Sequence, residues 1–530
     1  MLLLRKMGKG TVATLLSFAL VLTACTGGGG NANSSEEGAA NAGSEGQAAG
    51  EGETFEFSYL LVTRFVNWMN ELNWYPVLLE RTNTKVELVD GGEGDQYYSN
   101  VDLRIGGGDF PDAGMVSMAQ AEVYGSQGAF VDLKPLIAEH APNLQKFIDA
   151  NPDYAQLITA SDGKIYGIVE QYPRIANAIM YREDMFKKAG IENEPRTIEE
   201  LTEALRKLKA HYSSDSNFYP FTGREDFIKF TETFHANDTI VDDKVHGIYD
   251  GGRGFDIYSA GFKDLVTWYN TLYKEGLIDP EWVAGASTEA AWETKFLSGK
   301  GALSYDFFTR PAYFMLNGGP DNDPEYNLKV MPYLLDANGK QSVAATSAKY
   351  DLQRVFVVNA KAADKAPGIL KFLDYMYSED GQTLFGWGVE GETYKEEGGK
   401  KQFIVNFDEE VFKPAGEKRW SFLQDRMTFP KIVNNEAFYE WNNEVVKSFA
   451  AGLFTDEYVK SYPILKYSTE QLKERANLLA TVKEATLSNV VKFVNGTRPM
   501  SEWDAFLAEM EQAGYKKIVE IDQQAYDAMK

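Results

Sequence analysis

Residues 55–62 read FEFSYLLV, an alternation of apolar and polar side chains that closes into an apolar run. Alternation marks a strand with one covered face, and a bounded apolar run marks a strand covered on both. The spacing therefore predicts a strand entering a core. VELVD at 86–90, IYGIVE at 165–170 and RVFVVN at 354–359 repeat the signal. Helical patterns lie between them. Thr197-Ile198-Glu199-Glu200 has the form of a capping box, and Leu201, Leu205 and Leu208 continue on one helical face. Ile369, Phe372, Leu373 and Met376 repeat that periodicity, and the carboxyl end predicts helix from about Thr469, interrupted at Asn495-Gly496 and again at Gly514. Strands alternating with helices predict an α/β fold with mostly parallel pairing.

The chain has 530 residues, enough for two or three domains, with 44% hydrophobic and 25% charged residues. That composition excludes a chain disordered throughout. A mean hydropathy of -0.35 and a single long apolar run exclude a protein of many membrane spans. The net charge of -25 repels phosphate backbones and argues against non-specific nucleic-acid binding. With 1 Cys, no intramolecular disulfide can form.

That cysteine, Cys25, closes the sequence Leu22-Thr23-Ala24-Cys25. Before it stand the cations Arg5, Lys6 and Lys9 and the apolar run Thr11 to Val21, too short for a bilayer span of roughly 20 residues. Residues 1–24 read as a secretory leader. The four residues ending at Cys25 resemble a bacterial lipobox, which implies a thioether-linked lipid on Cys25 and cleavage before it. Two acyl chains anchor stably where one is marginal. Residues 26–53 contain no large apolar side chain, so residues 25–53 read as lipidated Cys plus a flexible linker. Its reach is roughly 30 Å, at about 5–6 Å × √n.

Beyond residue 54, several blocks resemble the extracellular solute-binding proteins of ATP-driven importers, in the large sugar-binding lipoprotein branch of family 1. They are GGDFPD at 107–112, FVDLKPL at 130–136, DGKIYGI at 162–168, YRED at 181–184 with Lys188-Ala189-Gly190 and Pro195-Arg196-Thr197, WYNTLYKEGLIDP at 268–280, FLSGKGA at 296–302 and GVEGETY at 388–394. The resemblance implies two α/β lobes joined by crossing segments, with ligand in the cleft between them. It places residues 54–171 plus 350–392 in the first lobe and 172–349 plus 393–530 in the second. Some large members carry a calcium loop after the P-x-T block. Here Ser213 to Pro220 lacks the ladder of acids and the glycine, so no calcium is expected there; with 1 Cys and no H-E-x-x-H, no zinc or redox cluster and no cofactor are expected, whereas calcium at another place is left open.

A sugar site needs aromatic faces for the ring's C–H surface, with acids, amides and Arg for its hydroxyls. In open α/β sheets such a cleft lies beyond the carboxyl ends of strands. With the implied crossings, that rule selects Arg64 and Trp68 after the first strand, Tyr172 and Arg174 at a crossing, and Asp306, Phe307 and Arg310 after GALSY at 301–305. It adds Trp387 and Glu390 before the next crossing, and Arg224 and Trp292. Trp268 and Trp503 read as core. His140, His211, His235 and His246 are scattered, Gly251-Gly252-Arg253-Gly254 lacks a following GK[ST], and no G-x-S-x-G elbow appears.

These features imply a monomeric, lipid-anchored binding subunit on the outer face of the cytoplasmic membrane, not an enzyme. It would capture an oligosaccharide and hand it to importer permeases, with no nucleic-acid partner. A binding lipoprotein for a non-sugar solute such as a peptide is the alternative, and a surface glycoside hydrolase or lyase is a more distant one. Cys25→Ser should leave the protein unprocessed or shed into the medium. Membrane fractionation measures this; normal cleavage and retention would refute the anchor.

Overall fold

In the computed structural model the first stretch is a strand, β1 (Phe55–Leu61), followed by α1 (Thr63–Glu71), β2 (Thr84–Asp90), β3 (Ala113–Val116), α2 (Met118–Ser126) and β4 (Gly167–Gln171). Then come β5 (Asn177–Arg182), α3 (Ile198–His211), α4 (Ala260–Lys274), α5 (Glu289–Leu297), β6 (Leu303–Phe307), α6 (Arg310–Leu316), β7 (Leu328–Met331) and β8 (Tyr350–Val358). Near the carboxyl end lie α7 (Asn435–Glu440) and α8 (Thr469–Asn495). The structure describes residues 53–530 apart from 172–176, 225–226, 250–253, 343, 346–349, 407–408, 411–412, 414–415, 421–427, 442–446, 448–458 and 461–462. The leader, Cys25 and the linker up to residue 52 lie outside the described residues, as do Tyr172, Arg174 and residues 251–253 of the glycine run.

Two sheets organise the chain. The first has the order β2-β1-β3-β8-β4 and the second β6-β5-β7. β1 pairs in parallel with β2 and β3, whereas β8 runs antiparallel to both β3 and β4. The second sheet is antiparallel throughout. The expectation of mostly parallel pairing therefore holds for β1, β2 and β3 and fails elsewhere. The cause is topological. β4 leaves the first sheet at Gln171 and β8 re-enters beside it, with Tyr350 opposite Gln171. Neighbouring exit and return strands have to run in opposite directions. β1 to β4 still point the same way, so their carboxyl ends share one edge.

The apolar core falls into two principal clusters. The first takes side chains from 57–169, 350–385 and 420–441. Tyr59 lies 4.9 Å from Phe356 and stacks at 5.0 Å on Phe429. The second takes side chains from 179–334 and 482–518. Trp268 and Trp503 are both in it, as their helical neighbours imply. Trp420, Phe429 and Trp441 pack into the first cluster, although the resemblance places residues 393–530 in the second lobe.

Local signals explain the helices. Thr197 caps α3 by accepting from the Glu200 amide at 3.2 Å. The capping box is only half formed, because the Glu200 carboxylate takes the Arg196 amide at 2.7 Å instead of the Thr197 amide. α8 has the full box, Ser468 with Gln471, and ends at Gly496 with φ 79°. That left-handed conformation suits glycine.

Residues 464–467 run between the two halves with alternate side chains facing opposite ways. Ile464 packs on the first cluster, and the Lys466 ammonium donates to the Thr159 carbonyl. Leu465 packs with Tyr249 and Ala525, and Tyr467 donates to Asp522 at 2.8 Å. Asp522 is fully buried and also binds Arg475 at 2.5 Å. A period of two is the geometry of extended chain, and here it ties one segment to the first core and to the small cluster of Tyr249 and Ala525.

Glu122 on α2 sits in the field of Lys466. Burial pushes its carboxyl from the ordinary 4.5 up to about 7, although the ammonium pulls the other way. The folded protein then holds a proton that the unfolded chain has released, so stability falls as pH rises from about 4.5 to about 7 and is flat above. Glu122→Gln should raise stability at pH 8 by at most about 3 kcal/mol, with the gain gone near pH 4. Urea titrations of both proteins at the two pH values measure this; an equal effect at each would contradict it.

Candidate functional site

β6 ends where the second sheet meets the crossing. Asp306 is opposite Ala178 and Phe307 opposite Asn177, the first residue of β5. β4 ends at Gln171, so the carboxyl edge of the first sheet and the Asp306 edge of the second are joined by residues 172–176. Six residue steps span at most about 20 Å. The end of β4 and the start of β5 therefore lie within about 20 Å of each other.

The second edge carries a charged cluster. Phe221 bridges Leu303 in parallel, so three residues later Arg224 arrives level with Asp306. Its guanidinium grips the Asp306 carboxylate at 2.9 and 3.1 Å, and both side chains are buried. The Trp282 indole N–H donates to the Arg224 carbonyl at 3.1 Å and the Ser287 hydroxyl to the Gly223 carbonyl at 2.8 Å, which fixes the backbone beneath. Glu289 and Glu293 stand four residues apart on α5, hence on one face. Both engage Arg310 at the start of α6: Glu289 directly, and Glu293 at 3.2 Å. Arg310 also lies 3.5 Å from Asp306, and Arg224 lies 3.6 Å from Glu289. Thr288 caps α5 by accepting from Ala291. Glu289, in the first turn, thus has a favourable place in the helix dipole, whereas Arg310 at a helix start needs its carboxylates.

Aromatic rings border the cations. Trp292 is 0% exposed and lies beneath both guanidiniums, 5.5 Å from that of Arg224 and 5.4 Å from that of Arg310. Its buried indole N–H has no hydrogen-bond partner among the described residues. Phe307 is 40% exposed, with the Arg224 guanidinium 5.6 Å from its ring.

The carboxyl edge of the first sheet is held by buried charge. Lys431, 0% exposed, donates to Glu170 at 2.7 Å, and Arg354 lies 3.5 Å from the same carboxylate. Burial pushes the Glu170 carboxyl up, opposed by these two cations. Arg354 also lies 4.6 Å from the ring of Phe65, which takes Arg64 on it at 5.2 Å. Arg64 is exposed, and Trp68, half-buried, tilts against Phe65 at 5.4 Å.

The structure thus gathers Arg224, Trp292, Asp306, Phe307 and Arg310 into one cluster and sets Arg64 and Trp68 together at the other edge. Trp292 is corrected from a ligand platform to a buried floor under the cations. Trp387 is corrected in the same way. It is buried, stacks on Phe403 at 4.8 Å and packs with Tyr394 and Ala437. Glu390 is exposed next to Gly391, with no carboxylate contact among the described residues that draws it into the cluster. Tyr172 and Arg174 lie outside the described residues. α7 spans the region: Ala437 packs under Trp387, while Phe438 and Tyr439 pack against Phe308.

Sequence reasoning missed Glu289, Glu293, Glu170, Arg354 and Lys431. The Glu-x-x-x-Glu spacing around Trp292 was a usable signal for the first two. At Ser213–Pro220, Asp215 pairs with Lys300 and accepts from the Asn217 amide at 2.9 Å. Among the described residues no group of three or more His, Cys, Asp or Glu could hold a metal ion, and no helix is long and apolar enough to cross a membrane.

The family model for bacterial extracellular solute-binding proteins matches residues 68–383, more than half of the chain, and the protein belongs to that family. It is 23% identical over 460 residues to the fructooligosaccharide transporter substrate-binding protein FusA of Streptococcus pneumoniae serotype 4, covering 80% of this chain and 81% of that one. The polygalacturonan/rhamnogalacturonan-binding protein YtcQ of Bacillus subtilis is 21% identical over 417 residues, covering 76% and 77%. Among solved structures, the alginate-binding protein AlgQ2 without calcium ion superposes with a TM-score of 0.70 at 22% identity, over 90% of this chain and 98% of that one. The fold is the two-lobed one of periplasmic binding proteins.

Removing one partner of the buried Arg224–Asp306 pair strands the other. Asp306→Ala should cost about 2–3 kcal/mol of stability, moderated because Glu289 stays near. Phe307→Ala, at an exposed ring, should stay within about 0.5 kcal/mol. Guanidinium titrations of both variants check the contrast; equal losses would contradict it.

Proposed function

We propose that the protein is a lipid-anchored extracellular binding subunit that captures an oligosaccharide in the cleft between its lobes and delivers it, unchanged, to an importer in the membrane. The observation that carries this reading is the exposed Phe307 ring beside a pre-assembled set of carboxylates and guanidiniums, at the edge that adjoins the crossing. An exposed ring offers a face to a pyranose C–H surface, and charged donors and acceptors held in fixed positions meet hydroxyls in pairs. Relatives named for fructooligosaccharide, polygalacturonan and rhamnogalacturonan favour a sugar over a peptide. The lipobox at Cys25 and the linker after it support the anchor.

Phe307, Asp306, Arg310 and Glu289 would then form the second lobe's wall, and Arg64 and Trp68 the first lobe's. The lobes are residues 54–171 with 350–392, and 172–349 with most of 393–530. The packing of Trp420 and Phe429 favours giving the stretch before α7 to the first, with α7 touching both. The polar groups of the cluster are already bonded to one another, an arrangement suited to holding a ligand rather than to proton transfer.

Calorimetry with a panel of oligosaccharides tests this. At least one should bind with micromolar affinity or better, about -8 kcal/mol, without bond cleavage. Phe307→Ala should weaken it by about 1–3 kcal/mol, and scattering should show a smaller radius of gyration with ligand. Wild-type affinity in Phe307→Ala would place the sugar elsewhere, and cleavage by the pure protein would make it an enzyme.

A further inference from the structure

The cluster at the end of β6 has two cations, Arg224 and Arg310, and three carboxylates, Asp306, Glu289 and Glu293. Both cations are enclosed. The Arg224 side chain is 7% exposed and that of Arg310 15%, whereas the most exposed charge is Glu289 at 52%. Each guanidinium already faces at least two carboxylates. At the first lobe's edge Arg64 has an acid beside it, since Glu93 takes its amide at 2.7 Å. An arriving ligand therefore meets surplus negative charge next to an aromatic face.

Resting on the sugar-binding reading above, we propose that this site selects neutral oligosaccharides and rejects uronate oligomers of the same length and linkage. A hydroxyl donates to Glu289 without disturbing any pair. A uronate carboxylate would have to displace Asp306 or Glu289 from a guanidinium, or sit against the exposed Glu289 in a cluster of three carboxylates and two guanidiniums. Either way a like charge enters a partly desolvated site, where repulsion discriminates by rejection rather than by added attraction.

The test uses matched pairs: neutral oligosaccharides, their C6-oxidised uronates, and the methyl esters of those uronates, titrated calorimetrically into the full-length processed protein. The neutral member of a binding pair should bind roughly tenfold or more tightly than its uronate, and esterification should restore most of the loss. Glu289→Gln should narrow the ratio, as should added salt. A uronate that binds as tightly as its neutral partner would overturn the selectivity and leave the sugar site standing. An ester as weak as the free acid would show exclusion by shape and would also overturn it. Failure of every pair to bind would remove the sugar reading itself, and with it this inference.

Discussion

Lys431 and Glu170 form an ion pair with essentially no solvent at either end. Taking both charges out of water is costly, and truncating one partner leaves the other buried and unpaired. The pair therefore fixes where three remote segments meet. Glu170 is on the strand that leaves the first lobe, Arg354 on the strand that returns, and Lys431 on the segment leading into α7. Val433 donates to Gln171 at 2.7 Å and Tyr59 to the Thr428 carbonyl at 2.7 Å, which hold that segment against the sheet. The exit, the return and the bridging helix are thus set by one buried charge and its partners.

The second edge depends on that anchoring. With β4 ending at Gln171 and β5 starting at Asn177 opposite Phe307, the Asp306 end of β6 lies a short connection away from the carboxyl end of β4. Arg224, Asp306, Glu289 and Arg310 hold each other in place before any ligand arrives, so less ordering is left for the binding event. The indole of Trp292 below gives the guanidiniums an aromatic floor, and Phe307 beside them remains open. Residues 464–467, divided between the first core and the small cluster of Tyr249 and Ala525, provide a further connection near α2 and α8.

Features that depend on neighbours in the sequence were legible in it. The alternation at 55–62 and the helix start at Thr197 are local, and so is the glycine that ends α8. The cluster around Asp306 was legible in part, because the carboxyl end of a strand such as β6 is where a cleft side chain is expected. Trp387 shows where such a rule stops. Its position after a helix says that an aromatic stands there, but not that Phe403, on a hairpin 16 residues later, stacks on it. Lys431 had no local signal at all, since its partner is 261 residues away. The antiparallel return of β8 was equally hidden, because strand patterning carries no information about direction.

The most direct test is a crystal structure with an oligosaccharide bound at saturating concentration. A sugar ring should lie on the open face of Phe307, with hydroxyls at about 2.7–3.2 Å from Glu289 or Asp306. The Arg224–Asp306 grip should be unchanged from the ligand-free protein. A sugar bound away from β6, with Phe307 and Glu289 still facing solvent, would contradict the assignment of the site.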